Sequence, residues 1–151
     1  MSVTVGQMAP DFTVVNQRGE NVTLSELRGR KVVLVFFPFA FSGLCTGEMC
    51  DLRDRRGEFD DDTVLLGISA DPKHALRVFA EQEGLGFDLL SDFWPHGAVA
   101  QAYGVFLPER GMATRATFVI DREGVVAWAV VNGPGETRNV GDYREALAQI
   151  A

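Results

Sequence analysis

The most constraining feature of the sequence is a run of six apolar residues, Val-Val-Leu-Val-Phe-Phe, at positions 32–37. A short, continuous run of β-branched and aromatic residues is typical of a strand that is buried on both faces of a central sheet, because a strand with one solvent face alternates polar and apolar positions. Such a sheet needs a layer of helices on each face. The run therefore predicts an α/β fold built around this strand.

Helix and strand patterns alternate along the chain. A helix is predicted over residues 43–52, closed by basic residues and Gly57, and a second buried strand over residues 63–69. Asp71 and Pro72 are predicted as the N-cap and first residue of a helix that runs to Gly84. The other predicted elements are an N-terminal hairpin (12–15 and 22–24), a helical turn at Ser25, a strand (87–90), a helix (95–103), a hairpin (117–121 and 125–131) and a C-terminal helix (139–150).

Composition and charge exclude several classes of protein. With 46% hydrophobic and 23% charged residues, the chain of 151 residues has the composition of a globular protein, and one domain over residues 1–151 is expected. The net charge of −7 repels nucleic-acid phosphates and anionic lipids, so neither is an expected partner. Residues 1–10 lack a signal-peptide pattern, and the longest apolar stretch, residues 32–41, is too short to span a bilayer. A cytoplasmic location is therefore expected.

The two cysteines, Cys45 and Cys50, are too few for a disulfide framework, so they indicate either thiol chemistry or buried core positions. His74 and His96 lie far apart in sequence and form no metal-ligand spacing with the cysteines. No phosphate loop or dinucleotide fingerprint is present. We therefore expect neither a metal nor an organic cofactor.

Pro38, Ser42 and Cys45 form the pattern Pro-x-x-x-Ser-x-x-Cys between the core strand and the following helix. The unpaired amides and positive dipole end of a helix N-terminus stabilise an anion, so they favour the thiolate of a cysteine in the first turn. Ser42 also fits the N-cap position, which does not prevent contact with a substrate. The pattern predicts a nucleophilic Cys45.

These residues resemble the active-site motif of the peroxiredoxins, which usually has Thr where this chain has Ser42. Residues 9–12 are similar to that family's N-terminal signature, and residues 115–121 to the strand that carries its active-site arginine, here Arg115. Residues 36–45 and 92–104 are most similar to the alkyl hydroperoxide reductase E type. The Cys45 to Cys50 spacing, in contrast, is that of the Q type (bacterioferritin comigratory protein). The resemblance covers nearly the whole chain and implies a thioredoxin-like fold, with a mixed central sheet, helices on both faces and an N-terminal hairpin.

The resemblance implies a thiol-dependent peroxidase without metal, haem or flavin, in which Cys45 attacks a hydroperoxide and becomes a sulfenic acid. Arg115, the Ser42 hydroxyl and the Cys45 amide are expected to stabilise the transition state, while Pro38 shields the sulfur. Glu48 lies three residues after Cys45, on the same helix face, and is expected to orient Arg115. Its alternative role is to complement the helix dipole. The expected partners are thioredoxin or a glutaredoxin-like protein (of the mycoredoxin type) as reductant, and a second copy of the chain in a homodimer.

The role of Cys50 stays open between three alternatives. It resolves the Cys45 sulfenic acid as an intramolecular disulfide, or an outside thiol does so, or Cys50 only packs. On a regular helix the two α-carbons are roughly 8.6 Å apart, whereas a disulfide needs less than about 7 Å. The first helical turn must therefore unwind for the bond to form.

Two rival functions are a dithiol oxidoreductase and a non-enzymatic peroxide sensor or relay. The oxidoreductase is disfavoured because it would have two residues between its cysteines, and this chain has four. The sequence does not separate a relay from a peroxidase.

Overall fold

The computed structural model describes residues 3–150. Its strands are β1 (Thr13–Asn16), β2 (Asn21–Thr23), β3 (Lys31–Phe36), β4 (Thr63–Ser69), β5 (Asp88–Ser91), β6 (Phe106–Leu107), β7 (Met112–Ala113), β8 (Arg115–Ile120) and β9 (Val126–Asn132). Its α-helices are α1 (Gly43–Arg55), α2 (Lys73–Glu83), α3 (Ala98–Ala102) and α4 (Val140–Ala148). Two short 3-10 helices cover Leu24–Leu27 and Arg56–Glu58.

The strands form a mixed sheet in the order β2-β1-β5-β4-β3-β8-β9, with β6 and β7 paired separately. The core strand β3 is central, parallel to β4 and antiparallel to β8. Its last residue, Phe36, is aligned with Ile68 on one side and with Ala116 on the other. Because β3 and β4 are parallel, the loops that follow them emerge at the same edge of the sheet.

Every residue of β3 is buried, as the apolar run predicts. Successive side chains of a strand point to opposite faces, so β3 contributes to two cores. Val33 and Val35 belong to the core that contains residues of α1, α2 and α4. Val32, Leu34 and Phe36 belong to the core that contains residues of α3 and of the N-terminal region. The predicted arrangement of helices on both faces of a mixed sheet is confirmed.

The N-terminal hairpin is confirmed as β1 paired antiparallel with β2. It joins the main sheet through β5, where Val15 is aligned with Ser91. Val14 and Val22 pack against the core that contains residues of α3, which gives the two-stranded hairpin the apolar contact that it needs for stability.

Several predicted boundaries were wrong. The N-cap of α2 is Pro72 rather than Asp71, whose carboxylate instead accepts hydrogen bonds from outside the helix. The helix predicted over residues 95–103 is only α3, because Gly97 has a left-handed backbone (φ 71°), which interrupts a helix. β8 starts at Arg115 rather than at residue 117, whereas α1 ends at Arg55, among the basic residues that were predicted to close it. The two-residue strands β6 and β7 are too short to produce a detectable sequence pattern.

No helix within residues 3–150 is long and apolar enough to cross a membrane.

Candidate active site

The loop between β3 and α1 carries the Pro-x-x-x-Ser-x-x-Cys pattern. Pro38 is buried, and Ser42 occupies the N-cap position in an extended conformation. The Ser42 hydroxyl does not cap the helix but donates a hydrogen bond to the Phe39 carbonyl at 3.1 Å. This contact stays within the loop, so it fixes the serine side chain relative to the turn.

Cys45 is the third residue of α1, and its side chain is fully buried. The first backbone bond of the helix joins the Thr46 amide to the Ser42 carbonyl at 2.9 Å, which leaves the Cys45 amide ahead of the helical ladder. Cys45 belongs to the same core cluster as Phe37, Ala40 and Met49. Its sulfur therefore lies in an apolar environment at a helix N-terminus.

Asp71, which follows β4, anchors the loop that carries Pro38. Its carboxylate accepts a hydrogen bond from the Ala40 amide at 2.8 Å and another from the Ser69 hydroxyl at 2.6 Å. The Asp71 carbonyl accepts a third, from the Ser91 hydroxyl at 2.7 Å. Burial raises the pKa of Asp71, although the bonds from Ala40 and Ser69 act in the opposite direction. Sequence reasoning missed this anchor, because the Asp-Pro pair matched a helix start.

Glu48 lies one turn after Cys45 and binds two arginines. The Glu48 carboxylate accepts a hydrogen bond from Arg115 Nη1 at 2.6 Å, the ion pair expected from the sequence. It also accepts bonds from Arg138 Nη2 at 2.7 Å, Arg138 Nε at 3.1 Å and the Arg138 amide at 2.8 Å. The side chains of Glu48, Arg115 and Arg138 are only 8%, 3% and 2% exposed, respectively.

This buried trio carries a net charge of +1, since two guanidinium groups face one carboxylate. Burial alone would raise the pKa of Glu48, but the hydrogen bonds and charge of Arg138, together with Arg115, more than offset it and lower the pKa. The excess positive charge, one helical turn from Cys45, favours an anion at that position. Charges in a buried site interact more strongly than they would in water.

The two arginines use their donors differently. Arg138 Nη1 also binds the carbonyl oxygens of Phe36 at 2.6 Å and Ala116 at 2.9 Å, at the ends of two central strands. Arg115 Nε binds the Pro134 carbonyl at 2.6 Å. Within residues 3–150 no hydrogen-bond acceptor takes the Nη2 protons of Arg115. Arg138 was missed by sequence reasoning, because no spacing rule connects a residue after β9 to a helix that begins after β3.

Cys50 lies outside the buried face of α1, is half-buried and, like Cys45, is a free thiol. Its sulfur donates a hydrogen bond to Glu83 Oε1 at 3.4 Å. The helix is continuous from Gly43 to Arg55, so the regular separation of roughly 8.6 Å between the two α-carbons applies.

Neither histidine forms a hydrogen bond with a cysteine in residues 3–150. His96 lies with Nε2 2.7 Å from the Gly111 carbonyl, on the loop before α3, and His74 is in the first turn of α2. In residues 3–150, no three His, Cys, Asp or Glu side chains are grouped so as to hold a metal ion.

A cysteine at the start of a helix, next to buried arginines on a sheet of this topology, is the arrangement of a thiol-based redox enzyme with a thioredoxin-like fold. Comparisons with known proteins narrow this class. The sequence model of the AhpC/TSA family matches residues 5–129. Alkyl hydroperoxide reductase E of Mycobacterium tuberculosis (strain ATCC 25618 / H37Rv) is 50% identical over 150 residues, which cover 98% of each chain.

Solved structures agree with this family. The crystal structure of peroxidoxin BcpB from Mycobacterium tuberculosis has a TM-score of 0.82 at 33% identity, covering 97% of this chain and 95% of that one. The reduced 2-Cys peroxiredoxin of Plasmodium vivax has a TM-score of 0.86 at 26% identity, covering 97% of this chain and 81% of that one. The chain belongs to the AhpC/TSA family and is a peroxiredoxin, a thiol-dependent peroxidase. The resemblance to the alkyl hydroperoxide reductase E type is confirmed.

Proposed function

We propose that this peroxidase reduces hydrogen peroxide and organic hydroperoxides through direct attack of the Cys45 thiolate on one peroxide oxygen. A sulfur–oxygen bond forms, the peroxide bond breaks, and the departing oxygen takes a proton and leaves as water or an alcohol. Cys45 is left as a sulfenic acid. The observation that carries the proposal is the buried Glu48–Arg115–Arg138 trio, with its net charge of +1, one turn from a cysteine in the first turn of α1.

In the transition state, negative charge moves from sulfur onto the two peroxide oxygens, so donors must be in place there. Arg115 supplies its Nη2 group, which has no acceptor among residues 3–150, and its Nε and Nη1 bonds fix the plane of the guanidinium. The Cys45 amide is a second donor, and the Ser42 hydroxyl becomes a third when it turns from the Phe39 carbonyl to the substrate. Glu48 orients Arg115, and buried Pro38 keeps water from the sulfur.

The full burial of Cys45 has a consequence for reduction of the sulfenic acid. A protein thiol cannot reach this sulfur while the first turn of α1 is intact. We propose that this turn opens after oxidation and that Cys50 closes a disulfide with Cys45, which thioredoxin or a glutaredoxin-like protein of the mycoredoxin type then reduces. The alternative is a one-cysteine cycle, in which the same turn opens and the outside thiol reduces Cys45 directly. A homodimer in the cytoplasm is the proposed setting for either cycle.

We expect that Cys45→Ser abolishes peroxide consumption while the protein stays folded, because a serine hydroxyl is not ionised at neutral pH and cannot replace the thiolate. Peroxide consumption with a thiol reductant measures the activity, and circular dichroism checks the fold. Rapid consumption by a folded Cys45→Ser variant would contradict Cys45 as the nucleophile.

The two cycles differ in intact mass after one equivalent of hydroperoxide. Loss of two hydrogens indicates the Cys45–Cys50 disulfide, and gain of one oxygen indicates a persistent sulfenic acid. Cys50→Ser should keep the fast first attack, lose turnover with a thioredoxin-type reductant and over-oxidise at lower peroxide. Turnover equal to that of the parent would assign the protein to the one-cysteine cycle. A stable mixed disulfide with one client, without turnover, would instead indicate a relay.

A further inference from the structure

The Cys50 thiol is held at the contact between two helices, against a carboxylate. Its sulfur donates a hydrogen bond to Oε1 of Glu83, the last residue of α2, at 3.4 Å. Arg53, one turn further along α1, donates from Nη1 to the Glu83 backbone carbonyl at 2.5 Å. Two hydrogen bonds, one from Cys50 and one from Arg53, therefore join α1 to Glu83 at the end of α2.

The charged groups around Cys50 are Glu83 from α2 and Arg53 and Asp54 from α1. Burial raises the pKa of the Cys50 thiol, the hydrogen bond to Glu83 raises it further, and the charge of Arg53 opposes both. The protonated thiol is thus the resting form at neutral pH. Since the thiolate is the nucleophile in disulfide formation, attack by Cys50 needs a base.

We propose that Glu83 is the general base that removes the Cys50 proton as the disulfide closes. This role rests on the proposed two-cysteine cycle. Cys50 Sγ attacks Cys45 Sγ, the sulfur–sulfur bond forms and the sulfur–oxygen bond of the sulfenic acid breaks. The thiol proton passes to Glu83 and is returned to the departing hydroxide, which leaves as water. Cys50 is oxidised and the Cys45 sulfur is reduced, so electrons and protons balance without another reactant.

The position of the Cys50–Glu83 pair on the helices suits closure of the disulfide with Cys45. Cys45 is in the first turn of α1, the part that must unwind, whereas Cys50 and Arg53 lie further along the helix, where Arg53 binds α2. Opening the first turn therefore moves Cys45 and leaves the Cys50–Glu83 hydrogen bond in place. The base remains in contact with the nucleophile throughout closure.

Rapid-mixing experiments with one equivalent of hydrogen peroxide, followed by acid quench and intact-mass analysis, test the proposal. Glu83→Gln should oxidise Cys45 at the parental rate but close the disulfide about a hundredfold more slowly at pH 7, the lower end of a general-base contribution. Its closure rate should rise with pH, because only spontaneous ionisation of Cys50 remains, while the parental rate should change little. Glu83→Asp, which keeps a carboxylate, should recover most of the rate.

Glu81→Gln is the matched control, since it removes the same charge from an exposed position on the same helix. It should behave as the parent. If Glu83→Gln closes the disulfide at the parental rate with the parental pH profile, Glu83 is not the base and the two-cysteine cycle stands. If the parent forms a sulfenic acid and no disulfide, the two-cysteine cycle is refuted and the role of Glu83 with it.

Discussion

Glu48→Gln tests the buried charge trio most directly. The substitution keeps the size of the side chain but removes the negative charge that binds both Arg115 and Arg138, whose side chains are 3% and 2% exposed. Removing one partner of a buried ion pair costs about 3–5 kcal/mol, because the remaining charge stays buried without compensation. At about 2–4 °C per kcal/mol for a chain of this size, the melting temperature should fall by about 6–20 °C.

Glu58→Gln is the control, because Glu58 also binds two arginines, but near the surface. Its carboxylate accepts bonds from Arg55 at 2.8 Å and Arg144 at 3.2 Å, and its side chain is 33% exposed. Exposed ion pairs contribute only about 0–1 kcal/mol. Urea and thermal unfolding at pH 7 should therefore separate the two variants clearly. Equal destabilisation would refute the argument that burial makes the Glu48 trio important.

The pH dependence of the difference in unfolding free energy between the parent and Glu48→Gln is a second test of the buried charge trio. The folded-state pKa of Glu48 lies below its ordinary value of 4.5, so its stabilising contribution is fully present above pH 4.5 and is lost as the pH falls through the lowered value. The difference in unfolding free energy between the parent and Glu48→Gln should be constant from pH 7 to about pH 5 and should shrink at more acidic pH. A difference that grows on acidification would contradict the sign of the pKa shift.

Two further substitutions test the groups around Cys45. Arg115→Ala should slow oxidation of Cys45 at least about a hundredfold in stopped-flow measurements, the scale for loss of one preorganised donor; a rate within a few-fold of the parent would remove Arg115 from the mechanism. Asp71→Ala should destabilise the protein by about 1–3 kcal/mol and speed hydrogen exchange at the Ala40 amide, because two buried donors lose their acceptor. Asp71→Asn keeps an acceptor oxygen, so the Ala40 amide of that variant should exchange at nearly the parental rate.

The elements that could be predicted from the sequence are those specified by local pattern. The apolar run that forms β3 fixed the centre of the sheet, and the basic residues before Gly57 located the end of α1 to within a few residues. The Glu48–Arg115 pair was also predictable, but only because the family resemblance supplied Arg115 and helix spacing supplied Glu48. Helix periodicity alone relates residues within one element and says nothing of a strand far along the chain.

Arg138 and Asp71 could not be predicted, because their roles depend on tertiary contacts. Arg138 follows β9, and only the antiparallel pairing of β8 with β9 and with β3 brings it to the end of the core strand. Asp71 reaches the Ala40 amide because β3 and β4 are parallel and end at the same edge. Neither residue lies in a pattern that distinguishes it from an ordinary loop arginine or helix-capping aspartate.

The two buried arginines differ in how many of their N–H donors remain available to a substrate. Arg138 directs its donors to Glu48 and to the strand-end carbonyls of Phe36 and Ala116, so it neutralises a carboxylate and stabilises the sheet edge at the same time. Arg115 shares the same carboxylate but keeps its Nη2 group without an acceptor in residues 3–150. If Glu48 bound Arg115 alone, their charges would cancel. Because Arg138 offsets the carboxylate as well, the net charge of +1 is retained one helical turn from Cys45, and Arg115 has more unused N–H donors in residues 3–150 than Arg138 has.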